Sequence, residues 1–319
     1  MKILFTTPCK PIPIFLGKFL SIDDVSYRFV FNQGVFSATA DVPSFSLHFL
    51  AQNLNVPSVV LEWPTFEELE VELKSDYYDY VAISLKCLDL YRVAEMLDFI
   101  HKVSPGTQVI LGGYGTLALD EPEAEYIRDR AEHICRFGEG VRFIRNIIGD
   151  YEPRPMVSHL PAEVIRVPWL SASTRIGYIL SALGCVWKCE FCCTSAYAEG
   201  RVIEVMSPEE IHESMQWYYK TYPDLGQIYM MDEELLLRKN KVNALGELIR
   251  NDDIGLTRMS YLAFGTIHAI SRWDPEELLL NGVGQVWAGI ESMYSYGRKK
   301  GTDKGDSKDL IQGLLDHGI

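Results

Sequence analysis

The sequence predicts an α/β chain made of two successive parallel strand–helix series, and three observations predict it. Short apolar runs alternate with helical patterns from Lys2 onward, a proline-bearing stretch interrupts the alternation, and four further strand–helix units follow. The division that follows is a sheet-forming domain over 1–150, a linker over 151–175 with Pro153, Pro155, Pro161 and Pro168, and a second domain over 176–319.

In the first series the strands are Lys2–Thr6, Pro57–Trp63, Tyr78–Ser84, Gln108–Leu111 and His133–Phe137. The helices are Ser44–Leu54 with Ser44 as N-cap, Thr65–Leu73, Leu90–Val103, and one running from Gly138-Glu139-Gly140 to about Ile148. Such an alternation predicts a parallel, doubly wound sheet whose ligands bind beyond the carboxyl ends of its strands. About 35 residues separate the first strand from its helix, where two to six are usual. That insert carries Phe15, Phe19, Tyr27, Phe29, Phe31 and Phe36, and is either a packed surface loop or a lid over a bound group. His48 falls on the apolar side of its helix and is expected in the core.

In the second series the strands are Ile176–Leu183, Gln227–Met231, Tyr261–Phe264 and Gln285–Ile290. The helices are Pro208–Thr221, Lys239–Asn251, Pro275–Leu280 and Ser307–His317, with Gly318 as a C′ glycine. Four such units suggest part of a parallel barrel, with functional groups at the carboxyl ends of its strands.

Composition narrows the function. The chain has 319 residues, 47% hydrophobic and 23% charged, enough for a buried core in two domains. A net charge of −14 argues against general nucleic-acid binding. No apolar run approaches a membrane span, and Met1–Pro8 is too short for a secretory signal, so a cytoplasmic location without membrane partners is expected. Four of the seven cysteines fall within nine residues, a crowding that points to metal ligation and not to a disulfide framework.

The crowded segment is Gly184-Cys-Val-Trp-Lys-Cys-Glu-Phe-Cys-Cys193. The spacing Cys185-x3-Cys189-x2-Cys192 lets one short loop offer three thiolates to one [4Fe–4S] cluster, leaving one iron open, whereas electron-carrying clusters usually take four cysteines. A zinc site with Cys193 or a distant fourth ligand is the alternative, although adjacent side chains diverge and Cys193 is otherwise a simple thiol.

Spacing and position after a strand make this loop resemble that of the radical S-adenosylmethionine (SAM) superfamily, with Phe191 in the aromatic place before the third cysteine. The resemblance implies that Cys185, Cys189 and Cys192 ligate the cluster, that Phe191 packs near the adenine of SAM, and that SAM is cleaved to a 5′-deoxyadenosyl radical. It also implies that polar groups in Met231-Asp232-Glu233-Glu234 meet the amino group of SAM, with Asp232 and Glu233 the best matches; a helix-dipole role is the alternative. Gly289-Ile-Glu291-Ser292 is similar to a family segment whose Glu291 and Ser292 equivalents approach the SAM ribose or carboxylate. Arg201 and the run Arg298-Lys299-Lys300 either approach SAM or stay on a solvated face.

The first half resembles the flavodoxin-like, cobalamin-binding-type domain found before some radical SAM barrels. Ser84, Gly112, Gly113, Gly115, Thr116, Gly138 and Glu139 stand where that subgroup cradles the nucleotide tail of cobalamin, or they merely make strand-to-helix turns. The subgroup's Asp-x-His-x-x-Gly is absent, so cobalamin binds without a protein histidine or has been lost. The family barrel has six units and four are counted, so the chain is expected to be truncated.

Taken together, the expectation is a radical SAM enzyme, in one form a cobalamin-dependent C-methyltransferase. It would act on a small molecule or peptide and receive electrons from a flavodoxin- or ferredoxin-type donor. No catalytic side chain is assigned. The alternative is a non-catalytic or truncated cluster- or metal-binding module used for partner recognition.

Overall fold

A computed structural model of the chain describes residues 1–9, 39–41, 43–167, 172–289 and 304–319. The aromatic insert, Glu291, Ser292 and the basic run 298–300 lie outside the described residues. The chain is α/β and falls into two compact units: Met1–Pro153 with Glu163–Ser173, and Arg154–Ala162 with Thr174–Ile319. Residues 151–175, expected as a linker, therefore divide between the units, with Arg154–Ala162 in the second and Glu163–Ser173 in the first.

The first unit contains β1 (Ile3–Thr6), β2 (Thr39–Asp41), α1 (Phe45–Gln52), β3 (Ser58–Leu61), α2 (Phe66–Ser75), β4 (Tyr80–Ser84), α3 (Leu90–Val103), β5 (Gln108–Gly112), α4 (Glu125–Arg128), β6 (His133–Ile134), α5 (Gly140–Ile148) and β7 (Glu163–Val167). Strands β3-β1-β4-β5-β6 form one parallel sheet in that order. The alternation of strands and helices makes such a sheet, because each crossover helix covers a face and lets strands such as Ile3-Leu4-Phe5 be buried on both sides. Leu4, Val81, Ile83, Val109 and Leu111 pack with Leu69, Leu73, Val93, Met96, Leu97 and Ile100 from α2 and α3. Each such side chain contributes about 1.5–3 kcal/mol by leaving water. A capping box starts α2: the Thr65 hydroxyl accepts from the Glu68 amide at 3.0 Å, and the Glu68 carboxylate accepts from the Thr65 amide at 2.7 Å. Ser44 is the N-cap of α1 as expected, but its side chain makes no capping bond. The short β2 runs antiparallel to β7, a ribbon with no signal in the periodicity.

The second unit contains β8 (Ala172–Ile179), β9 (Ala182–Leu183), α6 (Cys193–Tyr197), β10 (Ile203–Glu204), α7 (Pro208–Thr221), β11 (Leu225–Met230), α8 (Lys239–Arg250), β12 (Tyr261–Thr266), α9 (Ile267–Ile270), α10 (Pro275–Leu280), β13 (Val283–Gly289) and α11 (Lys304–Asp316). Strands β8-β11-β12-β13 lie side by side and parallel, in chain order. A second capping box, Ser207 with Glu210, starts α7. That helix locks onto β8 through Tyr218, whose hydroxyl donates to the Tyr178 carbonyl at 3.0 Å and accepts from its amide at 3.1 Å. Gly177 makes room for that ring, since a Cβ there would stand 2.8 Å from it. Gly318 ends α11 as expected, with the Gly318 amide bonded to the Leu315 carbonyl and the Ile319 amide to the Leu314 carbonyl.

Two strands differ clearly from their expected extents: β6 covers only His133–Ile134 of the expected His133–Phe137, and the other is broken. Ile176–Leu183 is not continuous: β8 stops at Ile179, and β9 pairs antiparallel with β10. The cause is a carboxylate distant in sequence: the Ser181 and Ala182 amides donate to Asp232 instead of to a neighbouring strand.

Candidate functional site

In the second unit the segments that follow β8, β11 and β12 meet beyond their carboxyl ends. The cysteine loop follows β8 and β9. It begins at Gly184, whose φ of +87° and crowding exclude a side chain: a Cβ there would lie 2.3 Å from the Ala198 methyl and from the Arg201 carbonyl oxygen. Cys185 is buried, Cys189 and Cys192 are half-buried, Cys193 is exposed, and all four are free thiols. A turn joins the second and third cysteines, the Cys192 amide donating to the Cys189 carbonyl at 3.0 Å. Burial pushes the Cys185 thiol up to about 11, with the charges of Glu234, Cys189 and Cys192 acting the same way against a bond from the Trp187 amide. Among the described residues, however, no group of three or more His, Cys, Asp or Glu side chains is gathered so as to hold a metal ion. The loop is open, and Phe191 stands 65% exposed on it.

The segment after β11 holds this loop with three consecutive carboxylates. Asp232 accepts from the Ser181 amide at 2.8 Å, the Ser181 hydroxyl at 2.5 Å and the Ala182 amide at 3.0 Å, and pairs with Arg238. Glu233 accepts from the Gly184 amide at 2.9 Å. Glu234 accepts from the Trp187 indole at 2.9 Å with one oxygen, and from the Thr266 amide and hydroxyl at 2.8 and 3.1 Å with the other. The expectation that Asp232 is an open partner for an ammonium is corrected. Asp232 is 1% exposed and both its oxygens are engaged by the loop and by Arg238. Glu233 is half-buried.

Behind the row lies a charged layer. Glu204 accepts two bonds from Arg238, both at 2.9 Å, and one from Lys241 at 2.5 Å, while Lys241 also reaches the Ser181 carbonyl at 3.1 Å. Burial opposes the charge on Arg238, but Asp232 and Glu204 outweigh it and raise its pKa. Burial lowers that of Lys241 against its bond to Glu204. Arg201 pairs with Glu199, and both are largely exposed.

The first unit's candidates are arranged differently. A Cβ on Gly113 would lie 2.7 Å from the Leu85 carbonyl oxygen, and one on Gly115 would lie 2.5 Å from the Lys86 carbonyl carbon. Both glycines therefore let the segment after β5 press against that after β4, where Ser84 ends the strand. Thr116 is fully buried, and its hydroxyl donates to the Gly113 and Cys135 carbonyls at 2.8 and 3.2 Å. Glu139 is buried and caps α5, accepting from the Val141 and Arg142 amides, although burial pushes its carboxyl pKa up. Nothing lies within 4 Å of a Cβ on Gly138, and a Cβ on Gly112 would only touch that of Cys135. The turn-making alternative thus has a contact behind Gly113, Gly115, Thr116 and Glu139. His48 is half-buried with Glu62 3.5 Å away, not a fully enclosed core residue.

Sequence reasoning missed Ser181, Trp187, Glu234, Arg238, Thr266 and His268, whose ring meets Trp187 edge-on at 5.3 Å between centroids. Glu234 and Trp187 lay inside the two motifs that were singled out, but nothing in their spacing pairs them. Compared with models of known protein families and with curated proteins, the chain matches none.

Proposed function

We propose that the chain is a radical SAM enzyme whose Cys185, Cys189 and Cys192 hold a [4Fe–4S] cluster. The observation that carries this reading is a three-thiol loop at the carboxyl end of a parallel strand, tied down by carboxylates from the end of the next strand. The donor set fits the group by its chemistry: three sulfurs at ligand spacing on one loop, the first of them buried, suit an iron cluster that favours thiolates. Because the sulfurs are not gathered, ligation requires the loop to draw in around the metal.

When bound, the cluster would supply the electron that cleaves SAM to the 5′-deoxyadenosyl radical. The chain's own part is to hold and orient. Asp232 and Glu234 fix the two ends of the loop's first half, and Glu233, the half-buried member of the row, takes the SAM ammonium in this proposal together with Phe191 at the adenine. Glu291 and Ser292 belong to the same proposal. The substrate is a small molecule or peptide, and the electron donor a flavodoxin or ferredoxin type. The order β3-β1-β4-β5-β6 supports a flavodoxin-like reading of the first unit in this proposal, and the run β8-β11-β12-β13 supports a partial-barrel reading of the second. Cobalamin is left out: four of the residues expected to cradle it are engaged by the unit's own backbone, so no methyl transfer through it is derived. No helix among the described residues is long and apolar enough to cross a membrane.

Anaerobic reconstitution with iron and sulfide tests the reading. About four irons per chain and 5′-deoxyadenosine on adding SAM and reductant are expected. Cys185→Ala, Cys189→Ala and Cys192→Ala should each lose both. Stoichiometric zinc that excludes iron, or an iron-loaded chain that leaves SAM intact, ends it.

A further inference from the structure

We infer that Glu234 and Trp187 form a positioning pair that sets how far the first cysteine of the loop is enclosed; the role in a cluster enzyme rests on the function proposed above, but the pairing does not. Trp187 sits two residues after Cys185 and one before the residue preceding Cys189, at the midpoint of the span that must place two thiols. Its indole N–H donates to the Glu234 carboxylate at 2.9 Å, and its ring rests edge-on against His268. Glu234 is itself buried, and its second oxygen is fastened to the start of the segment after β12 by the Thr266 amide and hydroxyl. One carboxylate therefore ties the loop after β8, through a single indole, to two other strand ends. A buried, charge-assisted bond of this kind is among the stronger ones, and its loss leaves the carboxylate oxygen without that donor. Lys188, with φ of +49°, and Gly184, at +87°, bracket Cys185-Val186-Trp187, so this short stretch turns at both ends and depends on the indole anchor between them.

Selective alkylation of the reduced, metal-free full chain reads the effect. Trypsin cuts after Arg175, Lys188 and Arg201, so Cys185 is recovered on a different peptide from Cys189, Cys192 and Cys193. Trp187→Phe keeps an aromatic ring for His268 and removes the N–H donor. It should raise the iodoacetamide rate at Cys185 about tenfold, the scale of one lost charge-assisted bond. Glu234→Gln keeps an acceptor oxygen but removes the charge and should move the rate in the same direction, and the double variant should be no faster than Trp187→Phe, because without the indole N–H the side chain at 234 no longer acts on the loop. Cys9, buried in the first unit, should not change. Once iron is loaded, Trp187→Phe should bind the same amount of metal at a shifted midpoint potential.

An unchanged Cys185 rate in Trp187→Phe overturns the pairing, as does an equal rise at Cys9, a fully additive double variant, or an identical potential. Because Glu234 also holds Thr266, a misfolded Glu234→Gln protein leaves the decision to Trp187→Phe. A wild-type chain that takes up no iron while Trp187→Phe still frees Cys185 defeats the cluster reading and leaves the pairing intact.

Discussion

The two units use the same architecture, loops beyond the carboxyl ends of parallel strands, and fasten those loops by opposite means. Between the loops after β4 and β5 of the first unit the fastening is neutral: backbone lies against backbone at Gly113 and Gly115, and the Thr116 hydroxyl bridges two carbonyls, while the buried Glu139 carboxylate caps α5. In the second it is charged: three carboxylates in a row accept backbone amides, two hydroxyls and an indole, and Arg238 and Lys241 stand behind them. A neutral latch costs little when removed, because few charges are stranded. A buried charged clamp is strong while complete and damaging when one member is missing.

The largest effect should come from Asp232→Ala. It frees the Ser181 and Ala182 amides and leaves the half-buried Arg238 guanidinium with Glu204 alone, and the expected cost is about 3 kcal/mol, the lower end for breaking such a pair. Urea unfolding followed by a probe of the second unit should show the unfolding free energy fall by that amount. A loss below about 1 kcal/mol, the scale of a surface pair, would remove the charged half of the contrast.

Thr116→Val in the first unit keeps the shape and deletes the hydroxyl. The Gly113 carbonyl still receives the Thr116 amide at 3.1 Å, so the Cys135 carbonyl is the acceptor most affected. The expected cost is about 1–2 kcal/mol, from the lower part of the range for a buried group losing its partner. If the same unfolding experiment gives a loss as large as that of Asp232→Ala, the neutral latch is no weaker than the charged one and the contrast fails.

The same contrast explains what the sequence could show. Elements governed by local rules were legible: Thr65 with Glu68, Ser207 with Glu210, Pro275 after Asp274 and the glycine at 318 announce helix ends wherever the chain folds. Leu90–Val103 shows its buried face, Val93, Met96, Leu97 and Ile100, at helical spacing. The three cysteines were legible because their ligand spacing is local as well. The acidic row was legible only as a motif. That Asp232 closes on Ser181, 51 residues earlier, and Glu234 on Trp187, 47 residues earlier, follows from strand adjacency, which no short window contains. The break in Ile176–Leu183 escaped for the same reason, since those residues have strand periodicity and lose their ladder to a distant carboxylate. The β2–β7 ribbon pairs three residues across more than a hundred positions, too short a segment to leave a pattern.

The smallest effect belongs to Glu204, at the solvent side of the charged layer. Burial acts to raise its pKa, but the bonds from Lys241 and Arg238 prevail and hold it below its ordinary 4.5. The folded protein therefore binds this proton less readily than the unfolded chain does. The contribution is complete above about pH 4.5 and fades as the pH falls through the lower folded value. The side chain is 55% exposed, so solvent screening limits the contribution to a few tenths of a kcal/mol. Glu204→Gln should lower the stability of the second unit by that amount at neutral pH and make it less sensitive to acid below pH 4.5, as read from urea unfolding in a pH series. Raised salt should shrink the difference between wild type and variant, because the pair is screened where Asp232 is not. A Glu204 effect that survives salt and matches Asp232→Ala would mean that the charge layer acts as one indivisible unit, with Glu204 as much a part of the buried clamp as Asp232.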